Sequence, residues 1–222
     1  MSTTTTSEAD VETKTRSTSV AAGQTIVLTD VDWELYVRLR DTPGNRRKRM
    51  TFADGTLEIM TLSSFHELIS LIIDHFILEW RVARDISVLP AGSMTLRRTS
   101  LSRGLEADQM YYIENEERVR NQVTIDLDQV PPPDLVIEVE HTSSAIPKLP
   151  LYAQLGVPEV WCWCQETLSV YRLVEGDYQA QTASTALAGF PLDQLRAALL
   201  QRTQVSETTL VRNFRQWIQD NG

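Results

Sequence analysis

The stretch Pro133-Asp134-Leu135-Val136-Ile137-Glu138-Val139-Glu140 carries the pattern that decides how this chain folds. It follows a run of prolines that cannot donate ladder hydrogen bonds, and its Val and Ile content suits a strand buried inside a sheet. Side chains alternate across a strand, so Asp134, Val136, Glu138 and Glu140 share one face, while Leu135, Ile137 and Val139 share the other. Glu138 and Glu140 then stand side by side, with Cβ atoms roughly 7 Å apart. Two carboxylates can close that gap around a cation whose oxygen ligands lie near ~2.1 Å. Upstream, Glu106-Ala107-Asp108 repeats the spacing and places Glu106 and Asp108 on a common face of a strand expected over 105–113. Like charges within about 4 Å cost roughly 4 kcal/mol at an effective dielectric near ~20. Something positive must therefore sit among these acids: a divalent metal, Lys148 at the start of the following helix, or an arginine. Without it, a carboxyl takes up a proton.

Working outward, Trp33, Tyr36 and Val37 predict a short helix, capped by Thr29 or Asp30, that packs as a lid and ends at Thr42-Pro43-Gly44-Asn45. Runs over 49–53 and 56–61 flank Asp54-Gly55, a dipeptide that tolerates the positive φ of a tight hairpin. Ser64-Phe65-His66-Glu67 has capping-box spacing and opens a long, mostly apolar helix. Further strands are expected over 93–98 and 133–142. A helix begins between Ser143 and Pro150 and stops at Gly156. Strand-like sequence over 159–173 and two amphipathic helices, 192–200 and 206–218, complete the chain.

The 222 residues, 42% hydrophobic, suit one globular domain over 23–222. Residues 1–22 are Thr/Ser-rich and lack apolar periodicity, so they read as a disordered tail. Neither a secretory h-region nor a membrane-length apolar run occurs, which implies a soluble, cytoplasmic protein. The two cysteines, Cys162 and Cys164, are too close on a strand for an unstrained bridge and read as core thiols. A net charge of −9 opposes long-range attraction to nucleic acid or anionic membranes. Local clusters, Arg46 to Arg49 and Arg97, Arg98 and Arg103, still offer phosphate contacts or simply solvated charges. His66 reads as a packed or capping histidine and His141 as an exposed strand end.

Four blocks, ADGTLEIMTLSSFHE, GLEADQMYYI, PPPDLVIEVEHTSS and KLPLYAQLGVPEVW, occur in this order. Together they resemble the Uma-two family of restriction-endonuclease-like proteins, within the PD-(D/E)XK nuclease superfamily, over roughly residues 25 to 218. The resemblance implies an α/β (α+β) fold with a restriction-endonuclease-like core: a helix, a mixed sheet opening as a three-stranded meander, a crossover helix and a further strand. The N-terminal helix and hairpin are additions to that core. It also implies an acid on the second strand, matching Asp108, and one on the third, matching Glu138, holding Mg2+ or Mn2+ for hydrolysis of DNA. The superfamily's lysine would stand two residues after Glu138, where this chain has Glu140, and Lys148 on the crossover helix is the natural substitute. Glu67 resembles an acid that some members add to the metal shell from the first helix, a role its capping-box position explains equally well. A homodimer is expected, because cutting both strands is easiest with two related sites. The competing class is an inactive nuclease fold that binds nucleic acid or a protein, favoured by Glu140 and the acidic charge.

Overall fold

The structure is a computed structural model, and it describes residues 24–45, 48–61, 64–122, 125–140, 144 and 146–221. The tail expected over 1–22, together with Arg46, Arg47 and His141, lies outside the described residues. The chain opens with strand β1 (Thr25–Leu28) and helix α1 (Trp33–Asp41). The N-cap is Asp32, whose side chain accepts from the Leu35 amide at 2.6 Å, and not Thr29 or Asp30. Asp30 instead turns the chain with φ 56°, a left-handed conformation that Asp tolerates. The hairpin β2 (Lys48–Ala53) and β3 (Thr56–Thr61) turns at Asp54 and Gly55, both at positive φ. Helix α1 packs on this hairpin through Tyr36, whose ring stacks on Phe52. Gly104 is required beneath it, since a Cβ there would come within 2.3 Å of the Tyr36 hydroxyl oxygen.

Helix α2 (Ser64–Ala83) follows. Ser64 already belongs to its first turn and so is not the cap, and residue 63 lies outside the described residues. Next come β4 (Leu89–Pro90), β5 (Thr95–Arg98), β6 (Arg103–Glu106) and β7 (Gln109–Tyr112), then the short α3 (Glu116–Val119). The decisive stretch is β8 (Leu135–Glu140), followed by α4 (Lys148–Leu155) and by β9 (Glu159–Cys164), β10 (Thr167–Val174) and β11 (Asp177–Gln181). Helices α5 (Leu192–Gln201) and α6 (Glu207–Asn221) end the chain. Helix α4 starts directly after Pro147, so Pro150 falls in its first turn, where a missing N–H costs nothing.

Two sheets result, ordered β1-β3-β2-β6-β5 and β11-β10-β9-β8-β7-β4. In the second, β8 and β9 run parallel, joined by the α4 crossover, and the other pairs are antiparallel. Leu135, Ile137 and Val139 face one apolar core, with α2, α5 and α6, while Val136 faces the other, with α4. Burial on both faces explains why this strand is so apolar.

The single strand expected over 105–113 is in fact two, β6 and β7, lying in different sheets. The acids that looked like partners on one face cause the break. Glu106 is pinned in the first sheet, accepting from the Met50 amide at 2.6 Å, from Thr95 at 2.8 Å and from Arg40 at 3.3 Å. Asp108 instead accepts from the Val139 amide of β8 at 2.8 Å, its carboxylate taking a position a backbone carbonyl would otherwise fill. The shared face of Glu106 and Asp108 is thus overturned. The cysteines also differ from expectation: Trp161 and Trp163 take the core face of β9, leaving Cys162 and Cys164 half-buried on the opposite face.

Candidate active site

At the end of β8, Glu138 is 2% exposed and enclosed by α4. Lys148, the first residue of that helix, reaches back so that its Nζ donates to Glu138 Oε2 at 2.5 Å. One turn later Tyr152 donates its hydroxyl to Glu138 Oε1. The spacing of four residues puts Lys148 and Tyr152 on one helix face, so α4 grips both oxygens of one carboxylate. Asp108, also buried, lies beside this pair on the neighbouring strand's approach, held by the Val139 amide. Arg49 of β2 completes the group, with its Nε 3.9 Å from Asp108 Oδ1. That Nε is buried and has no hydrogen-bond partner.

The electrostatics follow from burial. Desolvation raises the pKa of both Glu138 and Asp108, and Lys148 is the largest influence pulling each back. Burial alone would lower Lys148, but the charges of Glu138 and Asp108 outweigh it, and its pKa ends up raised. Lys148 is therefore a firmly charged ammonium serving two acids. Glu140 is half-buried on the same face, raised first by burial and then by the charge of Glu138. Glu58 of β3 comes near enough to raise it further, while itself accepting from Ser144 at 2.7 Å. Cys162, opposite Glu138 in the parallel register, is pushed up to about 12 by burial and these acids, which keeps it an unreactive thiol.

The structure thus gathers Asp108, Glu138, Glu140 and Lys148 at one place. It does not bring Glu67 into a coordination set with Asp108 and Glu138: Glu67 is exposed on the first turn of α2 and reaches Asp108 only through its charge. Among the described residues, no three His, Cys, Asp or Glu side chains converge to hold a metal ion. The donors present fit a different demand. Two hard carboxylates on adjacent chain segments suit an ion such as Mg2+ or Mn2+, which takes one or two protein carboxylates and fills its remaining positions with water and phosphate oxygens. They do not make an all-protein cage.

The expected basic clusters are largely spent within the fold. Arg97 pairs with Asp41 at 3.0 Å, Arg103 with Asp54, and Arg98 donates to the Gln154 carbonyl at 3.2 Å. His66 is buried, in keeping with a packed histidine. Sequence reasoning missed Tyr152, although its four-residue spacing from Lys148 was the signal available. It also read Arg49 only as part of a surface patch, since nothing in the spacing links the hairpin to Asp108.

Two sheets flanked by helices, with acids at the crossover between parallel strands, define a restriction-endonuclease-like core. The family model named Uma2 and described as "Putative restriction endonuclease" matches residues 33–204, and the chain belongs to this family. Among solved structures, the chain is similar to one described as a "putative nuclease belonging to DUF820" from Anabaena variabilis ATCC 29413. The likeness has a TM-score of 0.50 at 14% identity and covers 85% of this chain and 99% of that one. No curated protein matches the sequence.

Proposed function

We propose that the protein is a divalent-metal-dependent endonuclease that hydrolyses DNA phosphodiester bonds. The observation carrying this reading is the charged Lys148 set 2.5 Å from buried Glu138, with Asp108 alongside. Family membership and the nuclease-like neighbour support it. Asp108 and Glu138 would hold Mg2+ or Mn2+, with Glu67 at most an outer contact through water. Such an ion, when bound, supplies Lewis-acid polarisation of a phosphoryl oxygen and a bound water of lowered pKa.

The chain's own groups do the rest. The Lys148 ammonium is fixed where negative charge builds on the scissile phosphate, and its burial makes that interaction stronger than in water. Tyr152 locks the Glu138 carboxylate in one orientation. Glu140, half-buried with a raised pKa, is placed to accept the proton of the attacking water. Arg49 keeps positive charge on Asp108 from the far side. Supercoiled DNA should be nicked in Mg2+ or Mn2+ and left intact in chelator, and Asp108→Asn with Glu138→Gln should abolish nicking. DNA bound but never cut, with or without these substitutions, would sink the proposal.

A second reading, an inactive nuclease fold acting as a nucleic-acid or protein binding module, is favoured by one observation. Both oxygens of Glu138 are already engaged by Lys148 and Tyr152. A metal titration followed by calorimetry separates the two, since the binding module takes up neither Mg2+ nor Mn2+ at this site. Among the described residues, no helix is long and apolar enough to cross a membrane.

A further inference from the structure

Helix α2 buries one face in the core through residues such as Ile73, Phe76 and Trp80, and its outer face should then be polar. Instead Leu68, Leu71, Leu78 and Val82 stand exposed, at 43, 45, 37 and 71%. With His75 between them, they are spaced three and four residues apart, the repeat that lines one seam of a coiled coil. An apolar seam of this regularity on a helix that already has a buried face marks an interaction surface.

We infer that the occupant is a second copy of this chain, whose own α2 lies antiparallel across the first about a twofold axis at His75. Reversing the helix about that residue maps the seam onto itself: Leu68 meets Val82, Leu71 meets Leu78, and His75 meets its own copy. An isologous contact requires this self-complementarity. Charge selects the direction. Glu67 and Arg81 lie two heptads apart on the same flank of the seam, so the antiparallel pairing sets Glu67 of each copy beside Arg81 of the other. A parallel pairing would set like charges and like helix ends together. Asp74, at the centre of that flank, is tied back by the Tyr111 hydroxyl at 2.8 Å. A polar His75 within an apolar seam penalises slipped registers, as single polar seam residues do. Beside it, a cleft of about 510 Å3 between α2 and α6, lined by His75, Leu78 and Val211, leaves room for the second helix.

The surface owes nothing to the nuclease reading and is tested without it, by sedimentation equilibrium of the full chain at micromolar concentrations. The wild type is expected to be dimeric. Leu71→Glu with Leu78→Glu, both on the exposed face, should raise the dimer dissociation constant by at least about a hundredfold while leaving the circular dichroism unchanged. Glu67→Arg and Arg81→Glu should each weaken the dimer by about fivefold, and the two together should restore it. A monomeric wild type, or a dimer indifferent to the leucine substitutions, overturns the proposal. Failure of the double charge reversal to restore association overturns the antiparallel register. Dissociation caused instead by charges placed at exposed Ile26 or Leu28 would move the interface to the edge strand β1 and overturn it as well.

Discussion

Two buried glutamates on neighbouring strands, Glu138 on β8 and Glu159 on β9, are 2% and 1% exposed and would look alike in a list of burials. Their partners separate them. Glu159 accepts from the Trp161 indole at 2.7 Å, Ser184 at 2.5 Å, and the Thr185 and Ala186 amides at 2.7 and 3.0 Å. These four donors are all neutral and mostly anchored to the backbone. Glu138 is held by an ammonium on a flexible stem and by one hydroxyl, both from α4. A carboxylate satisfied by fixed amides ties a loop to a sheet and has no capacity to exchange ligands. One satisfied by a lysine keeps a charge balance that a metal and a phosphate can enter, at the cost of a raised pKa.

The contrast breaks most sharply if the two glutamates are exchanged for their amides. Glu138→Gln is expected to slow DNA nicking by about a thousandfold or more, the scale on which charge stabilisation in a site is lost. Glu159→Gln should leave the nicking rate within about threefold and lower stability by ~1–3 kcal/mol, as an amide presents an N–H to donors it cannot accept from. Equal losses of nicking in two equally folded variants would erase the distinction. Next in size is Lys148→Ala. Removing the cation leaves Glu138 buried without a counter-charge, so urea titration should show ~3–5 kcal/mol of lost stability. Turnover should fall about a hundredfold while metal affinity is largely kept. A variant with wild-type turnover would remove Lys148 from the chemistry and leave it a structural cation.

What the chain reveals before folding tracks how local the cause is. The hairpin at Asp54-Gly55, the long α2 and the two-faced burial of β8 are written in short-range chemistry and patterning, and they are found where expected. The gathering of Glu138 and Lys148 was also legible, because ten residues separate them and the intervening helix fixes the return. The break at Ala107-Asp108 was not. It depends on Asp108 capturing the Val139 amide, and on Glu106 being held by the hairpin and Arg40, contacts distant in sequence that periodicity cannot report. The faces of Cys162 and Cys164 were misread for a related reason. Alternation gives two faces but not which one meets the larger apolar core, and the adjacent Trp161 and Trp163 take that side.

Smaller effects sharpen the comparison further. Tyr152→Phe removes one donor to Glu138 and nothing else of its shape, so thermal unfolding should show about 1 kcal/mol of lost stability and turnover should drop less than about tenfold. A hundredfold loss would promote the hydroxyl from orienting Glu138 to acting on substrate.

The pH dependence of stability should differ least, and its sign is set. Burial, the largest cause in each case, raises the folded pKa of Asp108, Glu138 and Glu140, so the folded protein keeps protons that the unfolded chain releases near pH ~4. Their contribution is fully present below that point and is lost as pH rises through the folded values. Glu79, lowered by its hydrogen bond to Arg215, acts in the opposite sense, losing its contribution as pH falls, but below the ordinary carboxylate range. From pH ~5 upward the wild type should therefore lose stability with rising pH more steeply than Glu138→Gln, by at most about 1.4 kcal/mol per pH unit for one proton. Denaturant titrations of both proteins across that range check it. Parallel curves would mean that Glu138 is as comfortable ionised as an ordinary surface carboxylate, and the difference drawn between it and an amide-locked glutamate would lose its electrostatic basis.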